Sequence, residues 1–140
     1  MDKHSVVIVD DHQMIIDGLT RIVAEDNGFR VLSTYSSSKE ALQKVPILKP
    51  DILLVDLEMP ELNGLELVSR LKKELPELRT ILLTMHLDHA TVKKVMELGF
   101  DAYILKNLDE MELKIALNKV AKGQKYFGAS ITEVLNNTST

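Results

Sequence analysis

Asp10 and Asp11, Asp56, Thr84 and Lys106 each stand at or just after the end of a short apolar run. Together they bring three carboxylates, one hydroxyl and one ammonium to four run ends. If the first and third runs are neighbours, all of these groups face one crevice. Three carboxylates within about 4–6 Å of each other repel by several kcal/mol at an effective dielectric of about 20. A hard divalent cation removes that repulsion. Magnesium suits the task, because it takes one or two carboxylates plus waters and pairs with phosphoryl groups. Lys106 follows Tyr-Ile-Leu, so its stem starts inside and its ammonium offers a point charge for a phosphoryl oxygen. Asp is common in loops after strands and Thr is favoured within strands, so no single residue carries this reading; the combination does.

The elements that must position these groups follow from hydrophobic periodicity. Five apolar runs stand out: Ser5–Asp10, Phe29–Tyr35, Asp51–Asp56, Arg79–Met85 and Asp101–Lys106. Most are continuous in Val, Ile and Leu, as strands buried on both faces of a parallel sheet are. Phe29–Tyr35 alternates and is more polar, which places it nearer an edge. Between the runs lie five helical stripes: Ile15, Ile16, Leu19, Ile22 and Val23; Ala41, Leu42 and Val45; Leu65, Val68 and Leu71; Val92, Val95 and Met96; Leu113, Ala116, Leu117 and Val120. Ser37 with Glu40, and Asp109 with Glu112, read as capping boxes, and Gly28, Gly99 and Gly123 as helix stops. The expected fold is α/β: an open, doubly wound (βα)5 parallel sheet with right-handed crossovers. Ligands bind such sheets outside the C-terminal strand ends, where the charged groups lie. After Gly123 the pattern weakens; Tyr126–Leu135 reads as a short helix and Asn136–Thr140 as a frayed tail.

Composition narrows the function. The 140 residues include no cysteine, which excludes disulfides and zinc-thiolate sites. The four histidines, at 4, 12, 86 and 89, show no ligand spacing on a common face. A net charge of −4 argues against strong nucleic-acid binding by this segment. No apolar run approaches a membrane span, and the N-terminus lacks the apolar stretch of a signal peptide, so a cytoplasmic protein is expected.

The segments VDD at 9–11, VDLEMPELNG at 55–64, LLTMH at 82–86 and GFDAYILK at 99–106 resemble the receiver domain of two-component response regulators. The resemblance spans residues 4–122, in order and spacing. It implies a flavodoxin-like sheet of five strands in the order 2-1-3-4-5. It also implies that Asp56 accepts a phosphoryl group from the phosphohistidine of a sensor histidine kinase. In the same reading Asp10, Asp11, Asp56 and the backbone carbonyl of Glu58 hold Mg2+, Asp10 mostly through water. Lys106 and Thr84 pair with phosphoryl oxygens, and Tyr103 is an aromatic switch that turns inward as Thr84 moves. Glu58 and His86 occupy the positions that tune phosphate lifetime, and Met59-Pro60 and Asn63-Gly64 shape the loop after the nucleophile.

Two positions depart from the common pattern. Asn107 stands where many receivers have proline, which removes the expectation of a cis peptide there, and Phe100 replaces a smaller residue. The segments HQMIIDGL, DLEMPELNGLEL, GFDAYILKN and AKGQKYFGASITEVL resemble most the NarL/LuxR-type subfamily, which carries a C-terminal helix-turn-helix. The resemblance therefore implies transcription regulation, with DNA bound only through a domain absent from these residues, and makes 123–140 a linker or tail. A stand-alone phosphorelay receiver is the alternative. By analogy, partners or a second copy are expected on about Asp88–Lys122, or for a homodimer on the first and fifth helices. A Mg2+-dependent phosphohydrolase fits less well: Asp56-Leu57-Glu58 is not D-x-D and no cap insertion is present. Nor does the first turn have the glycine-rich cradle of a nucleotide site.

Overall fold

The structure, a computed structural model, describes residues 3–107 and 109–136. Strands and helices alternate as β1 (His4–Val9), α1 (Gln13–Ala24), β2 (Phe29–Tyr35), α2 (Ser38–Leu48), β3 (Ile52–Asp56), α3 (Gly64–Glu74), β4 (Arg79–Thr84), α4 (His89–Leu98), β5 (Ala102–Leu105), α5 (Glu110–Ala121), β6 (Tyr126–Phe127) and α6 (Ala129–Asn136). All paired strands are parallel, in the order β2-β1-β3-β4-β5-β6. This is the expected doubly wound arrangement, with the more polar β2 on an edge.

Side chains alternate between two cores, one on each face of the sheet. Val6, Ile8, Ile52, Leu54, Ile81, Leu83, Ala102 and Ile104 pack against α1 and α5. Val7, Val9, Leu53, Val55, Leu82 and Tyr103 face the apolar stripes of α2, α3 and α4. The near-continuous apolar strands are thus explained by helices on both sides. Helix ends are specified locally. Ser37 and Asp109 each accept the backbone N–H three residues on, but Glu40 and Glu112 do not reciprocate, so neither completes a capping box. Glu112 instead accepts the Tyr126 hydroxyl at 3.1 Å. The complete box is Asn63 with Glu66, at the start of α3. Gly99 caps α4 with φ +79°, while Gly28 lies in the loop beyond α1.

The sixth strand is a correction to the five expected. Residues 126–127 pair with Ala102 and Tyr103 rather than opening a helix, and the helix begins only at Ala129. Alternation over two residues is too short a signal to read. Residues 123–136 therefore do not trail away. Ile131 is fully buried in the core that holds Tyr103, with Phe127, Val134 and Leu135 packed against it. This cover lies over the outer edge of β5, so the expected partner face at residues 88–122 is partly occupied by the chain itself. Of the expected tail, Asn136 closes α6, and 137–140 lie outside the described residues.

If β6 and α6 belong to the folded body, Ile131→Ala removes a fully buried side chain and costs roughly 2–5 kcal/mol. Urea unfolding of the chain measures it. A loss below about 0.5 kcal/mol, the surface-substitution range, would show that α6 is not part of the core.

Candidate functional site

The charged groups converge because their strands are neighbours in the centre of the sheet. Asp10 follows β1, Asp56 ends β3, Thr84 ends β4 and Lys106 follows β5. Asp10 and Asp56 are fully buried and Lys106 is 8% exposed. The Lys106 ammonium lies 2.8 Å from Asp10 Oδ2 and 3.0 Å from Asp56 Oδ2. It thus bridges the two carboxylates that repulsion would otherwise separate. Asp11 stands at the rim, its side chain 28% exposed.

His12 is the residue that sequence reasoning missed. The histidines were expected to share no ligand face, yet His12 Nδ1 lies 3.1 Å from both Asp10 Oδ1 and Asp11 Oδ1, and 3.2 Å from Lys106 Nζ. Its backbone N–H also donates to Asp10 Oδ1 at 2.8 Å. One donor atom each from Asp10, Asp11, His12 and Asp56 lies within 4.8 Å of the others. The signal was Asp10-Asp11-His12 in sequence; the expectation compared histidines with each other, not with the acids beside them.

The loop after Asp56 is held by its backbone. Glu58 N–H donates to Asp56 Oδ1 at 3.2 Å, and Gly64 N–H donates to Leu57 O at 2.9 Å. A Cβ at Gly64 would stand 2.6 Å from the carbonyl oxygen of Asp56, so only glycine lets α3 start this close to β3. Glu61 adopts a left-handed φ of +70°. Buried Ser38, at the start of α2, steadies that turn by donating to Pro60 O and accepting from Leu62 N. Sequence reading did not single out Ser38, because its partners lie more than 20 residues away.

Beside this pocket, Thr84 Oγ1 donates to Glu58 Oε2 at 2.6 Å and accepts from His86 N at 3.0 Å. Glu58 Oε1 also accepts the backbone N–H of Met85. The Glu58 carboxylate therefore turns toward β4, not into the Asp cluster. The His86 side chain is exposed. Tyr103 is fully buried, and its hydroxyl makes no hydrogen bond of good geometry among the described residues. Burial pushes its phenol up to about 12. The Lys106–Asn107 peptide is trans, as Asn in place of proline allows.

Electrostatics single out Asp56. Burial raises its carboxyl from 3.8 to about 6; the Lys106 hydrogen bond opposes that rise and the Asp10 charge adds to it. For Lys106, burial favours the neutral amine, but hydrogen bonds to Asp10 and Asp56 outweigh it and hold the ammonium above its ordinary value.

Fold and pocket define a class. Residues 6–118 match the response regulator receiver domain, and the chain belongs to that family of phosphorylation-dependent signal receivers of two-component systems. It is 31% identical over 132 residues to the response regulator protein VraR of Staphylococcus aureus, covering 94% of this chain and 63% of that protein. The chain thus spans somewhat less than two thirds of the length of the curated relatives it matches. An RcsB response regulator structure from Salmonella typhimurium superimposes with a TM-score of 0.92 at 27% identity, over 99% of this chain and 68% of that one. The isolated REC domain of RcsB, solved in the presence of phosphomimetic BeF3-, gives a TM-score of 0.90 at 27% identity, over 96% of this chain and 99% of that one. Among the described residues, no helix is long and apolar enough to cross a membrane.

The raised Asp56 carboxyl makes a signed prediction. An acid that holds its proton more tightly when folded destabilises the fold once ionised. Its contribution is most favourable below pH 3.8, declines as pH rises through about 6, and is flat above. In EDTA, Asp56→Asn should be more stable than wild type at pH 7.5 by roughly 1–2 kcal/mol, and the gap should close toward pH 4. Urea unfolding across that range measures it; a difference independent of pH would refute the assignment of the shift to Asp56.

Proposed function

We propose that Asp56 is the phosphoacceptor of this receiver, and the observation that carries the reading is the buried Asp10–Lys106–Asp56 bridge. One Asp56 carboxylate oxygen attacks the phosphorus of a phosphohistidine on a sensor histidine kinase. The O–P bond forms, the P–N bond breaks, and the leaving imidazole takes up a proton. The product is an aspartyl phosphate, and later attack of water on phosphorus returns the carboxylate and inorganic phosphate. The protein's part is positioning and charge neutralisation, with little covalent work of its own.

The donor set fits a divalent cation. Asp10, Asp11 and Asp56 supply clustered carboxylate oxygens that a single ammonium leaves only partly neutralised. These three carboxylates and the Glu58 carbonyl would hold Mg2+, which prefers oxygen to the imidazole of His12. When bound, it neutralises charge on the transferring phosphoryl group. In this reading Lys106 pairs with a phosphoryl oxygen on Asp56, and Thr84 Oγ1 gives up Glu58 to donate to another. Added phosphoryl charge of about −1.5 to −2 then biases Thr84 and Tyr103, which form the switch.

The output is proposed to be transcription regulation through a DNA-binding domain outside these residues, with 4–122 as the receiver and 123–140 as its connection. Support comes from the length of the relatives and from RcsB, which has been solved as an RcsB–DNA complex and as dimers bound to DNA. A homodimer of this chain is proposed on the same ground. Sedimentation of phosphorylated and unphosphorylated chain over a range of concentration decides it; identical monomers in both would refute it.

Incubation with acetyl phosphate and Mg2+ should add one phosphoryl group by intact mass. The addition should vanish with EDTA and in Asp56→Asn. Full labelling of Asp56→Asn would overturn the assignment. We further propose that Glu58 and His86 tune the lifetime of the aspartyl phosphate by orienting the attacking water. Each alanine variant should shift the half-life several-fold, and unchanged decay would remove that role.

A further inference from the structure

The Thr84 hydroxyl has one hydrogen, and the structure already assigns it an acceptor. It lies 2.6 Å from Glu58 Oε2, the shorter of its two acceptor contacts, the other being His86 O at 3.0 Å. An O–H to carboxylate bond of this length is charge-assisted and stronger than a neutral one. Thr84 itself is fully buried, so its hydroxyl cannot turn to water instead. Glu58 is also tied on both sides: Oε1 accepts Met85 N–H, and its own N–H donates to Asp56 Oδ1. The chain Asp56–Glu58–Thr84 thus links the nucleophile to the end of β4, one strand away from Tyr103, whose backbone pairs with Leu82.

The proposed reading of Asp56 and Thr84, on which this inference rests, requires the same proton to go to a phosphoryl oxygen. A hydroxyl cannot donate to both. We propose that Glu58 is a positioning residue, an internal carboxylate that stands in for the phosphoryl oxygen at Thr84 and keeps Tyr103 inward. Phosphorylation of this chain then exchanges one acceptor for another, instead of drawing Thr84 in from elsewhere. The aromatic switch is in consequence poised: Tyr103 moves little on phosphorylation in the wild type, and moves much once Glu58 cannot accept.

The test follows Tyr103 in chain labelled with 3-fluorotyrosine. Its three resonances, from Tyr35, Tyr103 and Tyr126, are assigned by single Tyr→Phe variants. Without a phosphodonor, wild type should show Tyr103 in one buried environment. In Glu58→Ala a second, solvent-exposed environment should appear, with the inward-to-outward ratio falling roughly ten-fold, as loss of a charge-assisted bond implies. Glu58→Gln keeps an acceptor oxygen and should restore much of the inward population. Beryllofluoride with Mg2+ should restore it in Glu58→Ala. Thr84→Val removes the donor, so it should release Tyr103 by itself, and the double variant Glu58→Ala/Thr84→Val should add nothing further. An unchanged inward Tyr103 in donor-free Glu58→Ala, or additive effects in the double variant, would overturn the proposal. Acetyl phosphate labelling of wild type is read in parallel. Failure to label sinks the Asp56 reading alone, since the donor-free comparison still decides the role of Glu58.

Discussion

One ammonium placed between two buried carboxylates is the constraint on which this site depends. Asp10 and Asp56 have no exposed surface, and an unpaired carboxylate in such a place would be neutralised or would unfold its surroundings. Lys106, 2.8 and 3.0 Å from them, makes their burial tolerable without cancelling the strain, because one positive charge faces two negative ones. Burial, with the Asp10 charge adding to it, leaves the Asp56 carboxyl raised to about 6 despite the lysine. A group kept under this pressure is relieved when a second cation or a change of chemistry reaches it. The pocket is therefore built to receive charge, and its stability is lower than an apolar replacement would give.

The fold exists to make that placement rigid. Strands β1, β3, β4 and β5 are buried on both faces, so their C-terminal ends are fixed by two cores at once. Any shift of a strand end would disturb packing above and below the sheet. The connecting loops are fixed by different means. Gly64 allows α3 to begin against the Asp56 carbonyl, and Ser38 ties the strained Glu61 turn to α2. On the far side, Tyr103 is bonded through its backbone to β6, with Gly128 N–H donating to Tyr103 O at 3.0 Å. Ile131 of α6 shares its core. Tyr103 is thus packed with the element that carries the chain onward, and the two cannot be repacked independently.

Much of this was legible in the residues. The continuous apolar runs announced a doubly covered parallel sheet, and the charged residues at their ends announced a pocket, since strand order needs only neighbours to bring them together. Asp10, Asp56, Thr84 and Lys106 stand at neighbouring strand ends; Asp10, Asp56 and Lys106 are joined directly, whereas the Thr84 hydroxyl turns to Glu58. What escaped has a common physical reason: it depends on contacts distant in sequence or on very short elements. β6 has two residues and no period to detect. Ser38 acts on a turn over 20 residues away. His12 enters the cluster through its acidic neighbours, and no spacing between histidines could show it. Glu112 looked like a capping partner but was drawn to Tyr126, whose hydroxyl offers a bond the cap does not outcompete.

Charge arithmetic also explains why neutral donors matter at the edge of the pocket. With Asp10, Asp11 and Asp56 ionised and Lys106 protonated, the cluster carries two net negative charges. A divalent cation cancels them. Under the proposed chemistry, converting the Asp56 carboxylate to an acyl phosphate would then replace one negative charge by about 1.5 to 2, leaving an excess of about half to one charge. Lys106 is already committed to Asp10 and Asp56, and no further lysine or arginine approaches within ion-pair distance of Asp10 or Asp56 among the described residues. The excess must be met by dipoles: backbone N–H groups of the β3–α3 loop, and the hydroxyl of Thr84. Glu58 competes for that hydroxyl and adds its own negative charge nearby. In the proposed reading a carboxylate and a phosphoryl oxygen therefore compete for one buried proton.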